Sequence, residues 1–236
     1  MSDESTLASL RLADSSLPVG TDSVSYGLEQ FAAEDRVEAA DDLRALLETY
    51  LRRQLGVADL VALRAAHEGA IAGDDCTGAG DVDAIVAADR RLSATTLAAE
   101  FRESCTRTGE RLLSLQRELR DDPVLDEYAA AVEAGDVPGN HAVVLGAVAG
   151  REGVDADEAC LVACHGFVTG LLGAAQRLLR LGHTEVQRTV DELRPTMMDA
   201  VEDSADRSLD EMEPFAPLVD VASADHERAD RRLFVS

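Results

Sequence analysis

The chain has 236 residues, of which 46 are Asp or Glu and 22 are basic, and its formal net charge is −24. All of the basic residues are arginine. This balance argues against nucleic acids and anionic membranes as partners, because both are bound through basic patches. The hydrophobic content of 46% also excludes a chain that is too polar to build a core.

The first long periodic segment, residues 41–55, carries Leu and Tyr at steps of three and four, which predicts an amphipathic helix. Gly56 interrupts the pattern, and apolar residues resume at helical spacing over 57–71. The polar stretch Gly73–Gly80 is typical of a loop. Further helices are predicted at 81–92, 95–119, 124–134, 141–150, 156–181 and 184–203.

Turn and capping residues separate these helices. The segment Gly135–Asn140 is predicted to be a turn, Gly182 stops one helix, and Thr184 is expected to cap the next. Pro195 should bend or split that last helix. The chain shows no convincing strand and no internal repeat, so we predict a single all-α domain, a bundle of about nine or ten helices.

The segment 156–181 contains a run of 17 residues without formal charge, Ala159–Ala175. That length is at the short edge for a membrane span. The run also contains His165 and Thr169 within an otherwise acidic chain, so we interpret it as the buried central helix of a bundle. Glycines that would let helices approach closely lie here and on the preceding helix, at Gly146, Gly150, Gly166, Gly170 and Gly173.

Known catalytic patterns do not occur in the sequence: it has no G-x-S-x-G, no phosphate-binding loop, no H-E-x-x-H and no dinucleotide-binding glycines. We therefore predict a protein that is not an enzyme and needs no cofactor. Cys160 and Cys164 share a helix face and could bind a soft metal, but two thiolates make an incomplete site, and buried core cysteines are the alternative. No metal site is predicted.

The cysteines and the N-terminus bear on the compartment. Four cysteines are too few for a disulfide framework in a chain of this length. The start of the chain lacks the basic and apolar regions of a signal peptide. We therefore expect reduced thiols and a cytoplasmic location.

Three stretches do not fit the plain pattern of a helical bundle. The first is Leu12–Gly20, with a Ser pair and a Pro-Val-Gly turn, followed by Ser25–Glu29. The second is Thr106–Leu113, which places two arginines four residues apart, and we expect Gly109 to open space beside them. The third is the C-terminus, which finishes with an apolar triplet behind paired arginines in Arg231–Ser236. An apolar end is expected to be covered, either by its own fold or by a partner.

These stretches together resemble the urease accessory protein UreF family. That family has L-A-D-S-x-L-P-x-G followed by S-x-G-L-E, and an R-x-x-G-x-x-L-L stretch in mid-chain. It also has a helix start similar to Asn140–Gly146, a stretch matched within Ala175–Gln187, and an ending that Asp220–Ser236 reproduces. The resemblance spans nearly the whole chain. Where the family has aromatics after the turn this chain has Asp22 and Val24, and His183 stands where the family usually has Gln.

The resemblance implies an all-helical, non-catalytic adaptor that forms a homodimer. It would join a nickel-carrying GTPase, UreG, and the accessory protein UreD (also called UreH) to apo-urease, so that nickel is inserted during urease maturation. It also implies that 204–236 is an extended tail that binds UreD/UreH. The residues expected to bind partners are Pro18, Gly20, Tyr26, Glu29, Arg107, Arg111, Arg177, Gln187, His226, Glu227, Arg228, Arg231, Leu233 and Phe234.

Two other functions fit the same motifs. One is a carrier that itself binds nickel through Cys164, His165 or the His226 region. The other is a GTPase-activating protein that donates Arg or Gln to the nucleotide site of its partner.

The acidic composition supports a prediction about habitat. Adaptation to a salty, haloarchaeal-like cytoplasm favours hydrated carboxylates and disfavours lysine, whereas a GC-rich genome alone does not explain a two-to-one excess of acids. We therefore expect a salt-adapted member of the family that loosens at low salt through self-repulsion.

Overall fold

The computed structural model describes residues 2–19, 26–72, 80–179 and 181–215. Over these ranges the secondary structure is helical and contains no strand, which confirms the prediction of an all-α fold. The described α-helices are α1 (Asp3–Leu12), α2 (Leu28–Ala33), α3 (Ala40–Tyr50), α4 (Leu60–Ile71), α5 (Val82–Thr95), α6 (Ala99–Leu119), α7 (Pro123–Glu133), α8 (His141–Arg151), α9 (Ala156–Leu179) and α10 (His183–Ala205). The segment 216–236, with most of the predicted partner-binding tail, lies outside the described residues.

Gly56 does not interrupt the first long helix, so that prediction is wrong. A π-helical segment, Leu51–Asp59, connects α3 to α4 without a break. The glycine instead serves close packing, because a Cβ on Gly56 would lie 3.2 Å from the Cα and from the carbonyl oxygen of Ala200 in α10. The chain from Ala40 to Ile71 is therefore one continuous helical rod.

The last long helix also differs from its prediction. It begins at His183 with Gly182 as the N-cap residue, whereas Thr184 was the expected cap. Pro195 lies inside α10 and does not split it. Packing explains the tolerance, since Leu193 and Met197 on either side of the proline are buried in the core and hold the helix in place.

The centre of the molecule is the contact between α4 and α8. A Cβ on Gly146 would lie only 2.1 Å from the carbonyl oxygen of Leu63, so the two backbones approach as closely as glycine permits. One turn further, a Cβ on Gly150 would lie 3.0 Å from the carbonyl oxygen of His67. These contacts confirm the prediction that the glycines of α8 allow close helix approach.

A buried carboxylate fixes the turn that precedes α8. The side chain of Asp89 is fully buried and accepts hydrogen bonds from the Tyr128 hydroxyl at 2.7 Å, the Gly139 N–H at 2.8 Å and the Asn140 N–H at 3.0 Å. The Asn140 side chain adds a fourth donor at 2.6 Å. The same turn packs on α6, where a Cβ on Gly109 would lie 2.0 Å from the carbonyl oxygen of Gly139. Gly109 therefore makes room for this turn and does not open space beside the arginines of α6.

Candidate functional site

A groove lies between α9 and the segment that follows α1, and its cavity volume is about 170 Å³. We call it the α9 groove. One wall carries Leu12, Leu17 and Val19, and the other carries Val162, Gly166 and Thr169. The floor comes from the π-helical segment, α4, α6 and α8, through Leu55, Leu60, Leu112 and Leu145. The first sequence stretch singled out above therefore forms one side of a surface groove.

The α9 groove leads to a smaller cavity of about 40 Å³, which we call the inner chamber. Both cavities are lined by Tyr26, Leu55, Asp59, Cys105, Ala142 and Phe167, so they are two parts of one recess. The volume exceeds the roughly 10–15 Å³ that one water molecule needs. The inner chamber is therefore large enough for a small polar group.

The walls of the inner chamber are aromatic. The ring centroid of Tyr26 lies 5.1 Å from that of Phe101 and 4.9 Å from that of Phe167, and the Tyr50 ring lies 5.4 Å from Phe167. The chain has only three Tyr, five Phe and no Trp, so half of its aromatic side chains meet here. Such tilted pairs contribute about 0.5–1.5 kcal/mol each beyond the area they bury.

The backbone at Tyr26 is unusual. Tyr26 has φ 46° and Gly27 has φ 76°, which are left-handed conformations. A bulky residue rarely adopts a positive φ, so surrounding contacts must hold it there. The Tyr50 hydroxyl donates a hydrogen bond to the Tyr26 carbonyl oxygen, and the rings described above fix its side chain. This geometry turns the tyrosine of the Ser25–Glu29 motif into the recess.

Asp59 is the carboxylate of the inner chamber and ends the π-helical segment. The Gln54 side-chain amide donates to its Oδ2 at 3.2 Å. The two residues are five apart, the spacing at which a π-helix repeats its hydrogen bonds, so the π-helical geometry brings them together. Burial raises the pKa of Asp59 to about 6.

Burial also keeps three other titratable groups of the recess neutral at pH 7. It raises the pKa of the Cys105 thiol to about 12, and it raises the pKa of Tyr26, whose side chain shares a hydrogen bond with Cys105. His141 begins α8 and lines the α9 groove, and burial lowers its pKa to about 4. At neutral pH the carboxylate of Asp59 is therefore the charged group of the inner chamber.

The predicted partner-binding residues are spread over several elements. Tyr26 lines the recess, while Pro18 lies exposed on the wall between two lining residues. The others in the described ranges lie on α2 (Glu29), α6 (Arg107 and Arg111), α9 (Arg177) and α10 (Gln187). Outside the described residues lie Gly20, His226, Glu227, Arg228, Arg231, Leu233 and Phe234.

Sequence reasoning missed Gln54, Asp59 and Phe167. The spacing of Gln54 and Asp59 is informative only once a π-helix is known. Asp59 is one of 46 acidic residues, so composition hides it.

The paired cysteines of α9 are core residues. Cys160 and Cys164 are both fully buried, and burial raises the pKa of each thiol to about 12, so both stay protonated at neutral pH. Within the described part of the chain, His, Cys, Asp and Glu form no group of three or more that could hold a metal ion.

Helix α9 was predicted to be a buried central helix, and it is buried on only part of its surface. Its length and apolar composition would suffice for a membrane span, but half of its most apolar window is buried inside the protein. A Cβ on Gly166 or Gly173 would meet no atom within 4 Å. The expectation that these two glycines serve close helix packing inside the fold is therefore wrong.

The fold and the recess define the class: this is an all-α protein with an apolar groove that leads to an aromatic chamber containing one carboxylate. The UreF family model matches residues 37–194. The chain is 31% identical to urease accessory protein UreF of Trichodesmium erythraeum, over 98% of this chain and 96% of that protein. It is also 31% identical to urease accessory protein UreF 1 of Brucella melitensis, over 96% and 91% of the two chains. A UreF of Bacillus sp. (strain TB-90) is 28% identical over 98% of each chain.

The chain belongs to the UreF family, which confirms the resemblance seen in the motifs. The salt-adapted character of this member stays a prediction.

Proposed function

We propose that this protein is a urease maturation factor that acts in the cytoplasm as a non-catalytic adaptor. The observation that carries the proposal is the similarity over nearly the whole chain to proteins named urease accessory protein UreF. A match of this extent includes the segments that form both walls of the α9 groove.

The proposed partners are UreG, a nickel-carrying GTPase, the accessory protein UreD/UreH, and apo-urease. An adaptor that holds two partners on one rigid helical body raises their effective concentration, so GTP hydrolysis can be coupled to nickel delivery. The α9 groove supports this role, because an open apolar recess on a rigid helical body suits a segment of a partner protein. The C-terminal segment Arg231–Ser236 is proposed to bind UreD/UreH.

A homodimer is part of the proposal. The run Ala159–Ala175 of α9 carries no formal charge in a chain whose net charge is −24, so two copies can meet there without bringing carboxylates together. Leu161 in this run is 41% exposed. Leu161→Glu should weaken the dimer at least tenfold in sedimentation experiments, whereas Leu97→Glu, at another exposed leucine, should not. Equal effects of the two changes would argue against this face.

The function is tested by recovery of partners. The tagged protein, purified from its host at native salt, should bring with it the urease subunits and a GTPase. A form lacking Arg231–Ser236 should stay folded and dimeric but lose UreD/UreH. Loss of urease activity on deletion of the gene, restored by the intact protein, completes the test. If no urease component is recovered and deletion leaves urease activity unchanged, the proposal is wrong.

Nickel calorimetry distinguishes an adaptor from a carrier. An adaptor should show no stoichiometric nickel-binding site that depends on its buried thiols. A tight nickel site that disappears in Cys160→Ala/Cys164→Ala would instead favour the carrier.

A further inference from the structure

We propose that the inner chamber receives an arginine or lysine side chain of a partner protein, whose apolar neighbours occupy the α9 groove. The proposal goes beyond urease maturation, since it concerns the chemistry that this recess recognises and does not depend on the identity of the partner.

The first argument is the state of Asp59. Two carboxylates elsewhere in the described residues have more partners: Asp89 accepts four hydrogen bonds, and Glu152 forms salt bridges with Arg11 and Arg120. Asp59 has the amide of Gln54 as a donor, and no Arg or His in the described ranges forms a salt bridge with it. A charged carboxylate in a desolvated recess is costly unless it is paired, so the chamber favours a cation.

The second argument is the aromatic lining. Tyr26 and Phe167 line both cavities, as Asp59 does, so a side chain that reaches Asp59 lies beside these rings. Guanidinium and ammonium groups are attracted to the faces of aromatic rings, most strongly where water is excluded. A carboxylate beside aromatic rings thus provides both elements by which proteins hold organic cations.

The third argument separates an organic cation from a metal ion. A divalent nickel ion needs several nitrogen, oxygen or sulfur ligands, and the described residues provide no cluster of three acidic, His or Cys side chains. A guanidinium group pairs with a single carboxylate through two of its N–H groups and stacks on aromatic faces. The two cavity volumes agree with this assignment. The smaller cavity accepts the charged end of the side chain, and the larger cavity accepts the apolar neighbours of that residue.

The experiment uses the full chain and the peptide acetyl-Leu-Arg-Leu-Phe-amide, with norleucine replacing arginine in the control peptide. Binding is followed by NMR chemical shifts of the Tyr and Phe rings in about 1 M KCl, where the Debye length of about 3 Å suppresses nonspecific attraction to the acidic surface. The arginine peptide should bind at least tenfold more tightly than the norleucine peptide, and should shift the Tyr26 and Phe167 signals.

Two variants and one metal control complete the test. Asp59→Asn should weaken binding of the arginine peptide at least tenfold and leave binding of the norleucine peptide unchanged. Asp83→Asn removes the same charge from an exposed position of α5 and should have no effect. Phe167→Leu, which keeps the Asp59 carboxylate, should also weaken binding of the arginine peptide. Absence of binding, equal binding of the two peptides, or saturable binding of nickel chloride at Asp59 would overturn the proposal, and none of these outcomes would affect the partner recovery described above.

Discussion

Two helix faces in this protein carry glycines, and they use them in opposite ways. On α8, Gly146 brings the backbone against the carbonyl oxygen of Leu63, so its missing Cβ is needed for packing. On α9, Gly166 and Gly173 have open space where a Cβ would be. A helical glycine costs roughly 1 kcal/mol relative to alanine. On α8, close packing inside the fold offsets that cost. On α9, only contact with another molecule would offset it.

The largest expected effect comes from a substitution on the face of α8 that packs inside the fold. Gly146→Ala places a methyl group against a backbone atom that cannot rotate away, so we expect unfolding in urea to show a loss of about 3 kcal/mol or more. Gly173→Ala is the matched control and should gain up to about 1 kcal/mol through helix propensity. Similar changes in the free energy of unfolding for the two variants would show that the α8 and α9 faces do not differ.

The next effect concerns the recess that α9 borders. Asp59 has a folded pKa of about 6 against 3.8 for the free side chain, so its ionised form destabilises the fold at neutral pH, and stability is regained as the pH falls through this interval. His141 has a folded pKa of about 4 against 6.5, so stability is lost as the pH falls from 6.5 to 4. These two contributions to the pH dependence of stability oppose each other in the intact protein.

Substitution separates these contributions. Asp59→Asn should raise the free energy of unfolding at about pH 7 by on the order of 2–3 kcal/mol, and should make stability fall more steeply on acidification to about pH 4.5. His141→Gln should have the reverse effect on the slope. Parallel curves of unfolding free energy against pH for both variants and the intact protein would contradict the assignment.

A smaller effect on stability is expected from a substitution on the exposed face of α9. Gly166→Leu fills part of the α9 groove without meeting an atom at the Cβ position, so stability should change by no more than about 1 kcal/mol. Binding of the arginine peptide should weaken at least tenfold, as measured by the same ring signals. A variant that loses stability but still binds would mean that the groove wall is structural.

The smallest effect concerns salt. Between about 0.1 and 3 M KCl, the unfolding midpoint of the intact protein should rise, because screening relieves repulsion among its acidic residues. The destabilisation caused by Gly146→Ala should stay within about 0.5 kcal/mol over the same range, because it is steric. A midpoint that does not change with salt would contradict the salt-adapted surface.

The sequence predicted the helices well and the recess poorly, for physical reasons. Leucines at steps of three and four reveal a buried face, so the positions of α6, α8 and α9 were predicted to within a few residues. The π-helical segment differs from an α-helix in its hydrogen-bond spacing, which no residue type signals. The recess requires side chains from distant segments, such as Tyr26, Asp59 and Phe167, to meet, and a single periodic pattern does not show which segments become neighbours.

The π-helical segment also has a geometric consequence for how the chain tolerates insertions and deletions. A π-helix bonds residues five apart and an α-helix residues four apart, so a π-helical turn contains more residues than an α-helical turn. The number of residues in Leu51–Asp59 therefore sets the angle between the apolar side of α3 and that of α4. Removing one residue while the π-helical hydrogen bonds remain would turn Leu43 and Leu47 away from the core relative to Leu60 and Leu63. A one-residue deletion here should be far more damaging than most substitutions, although no turn or loop is touched.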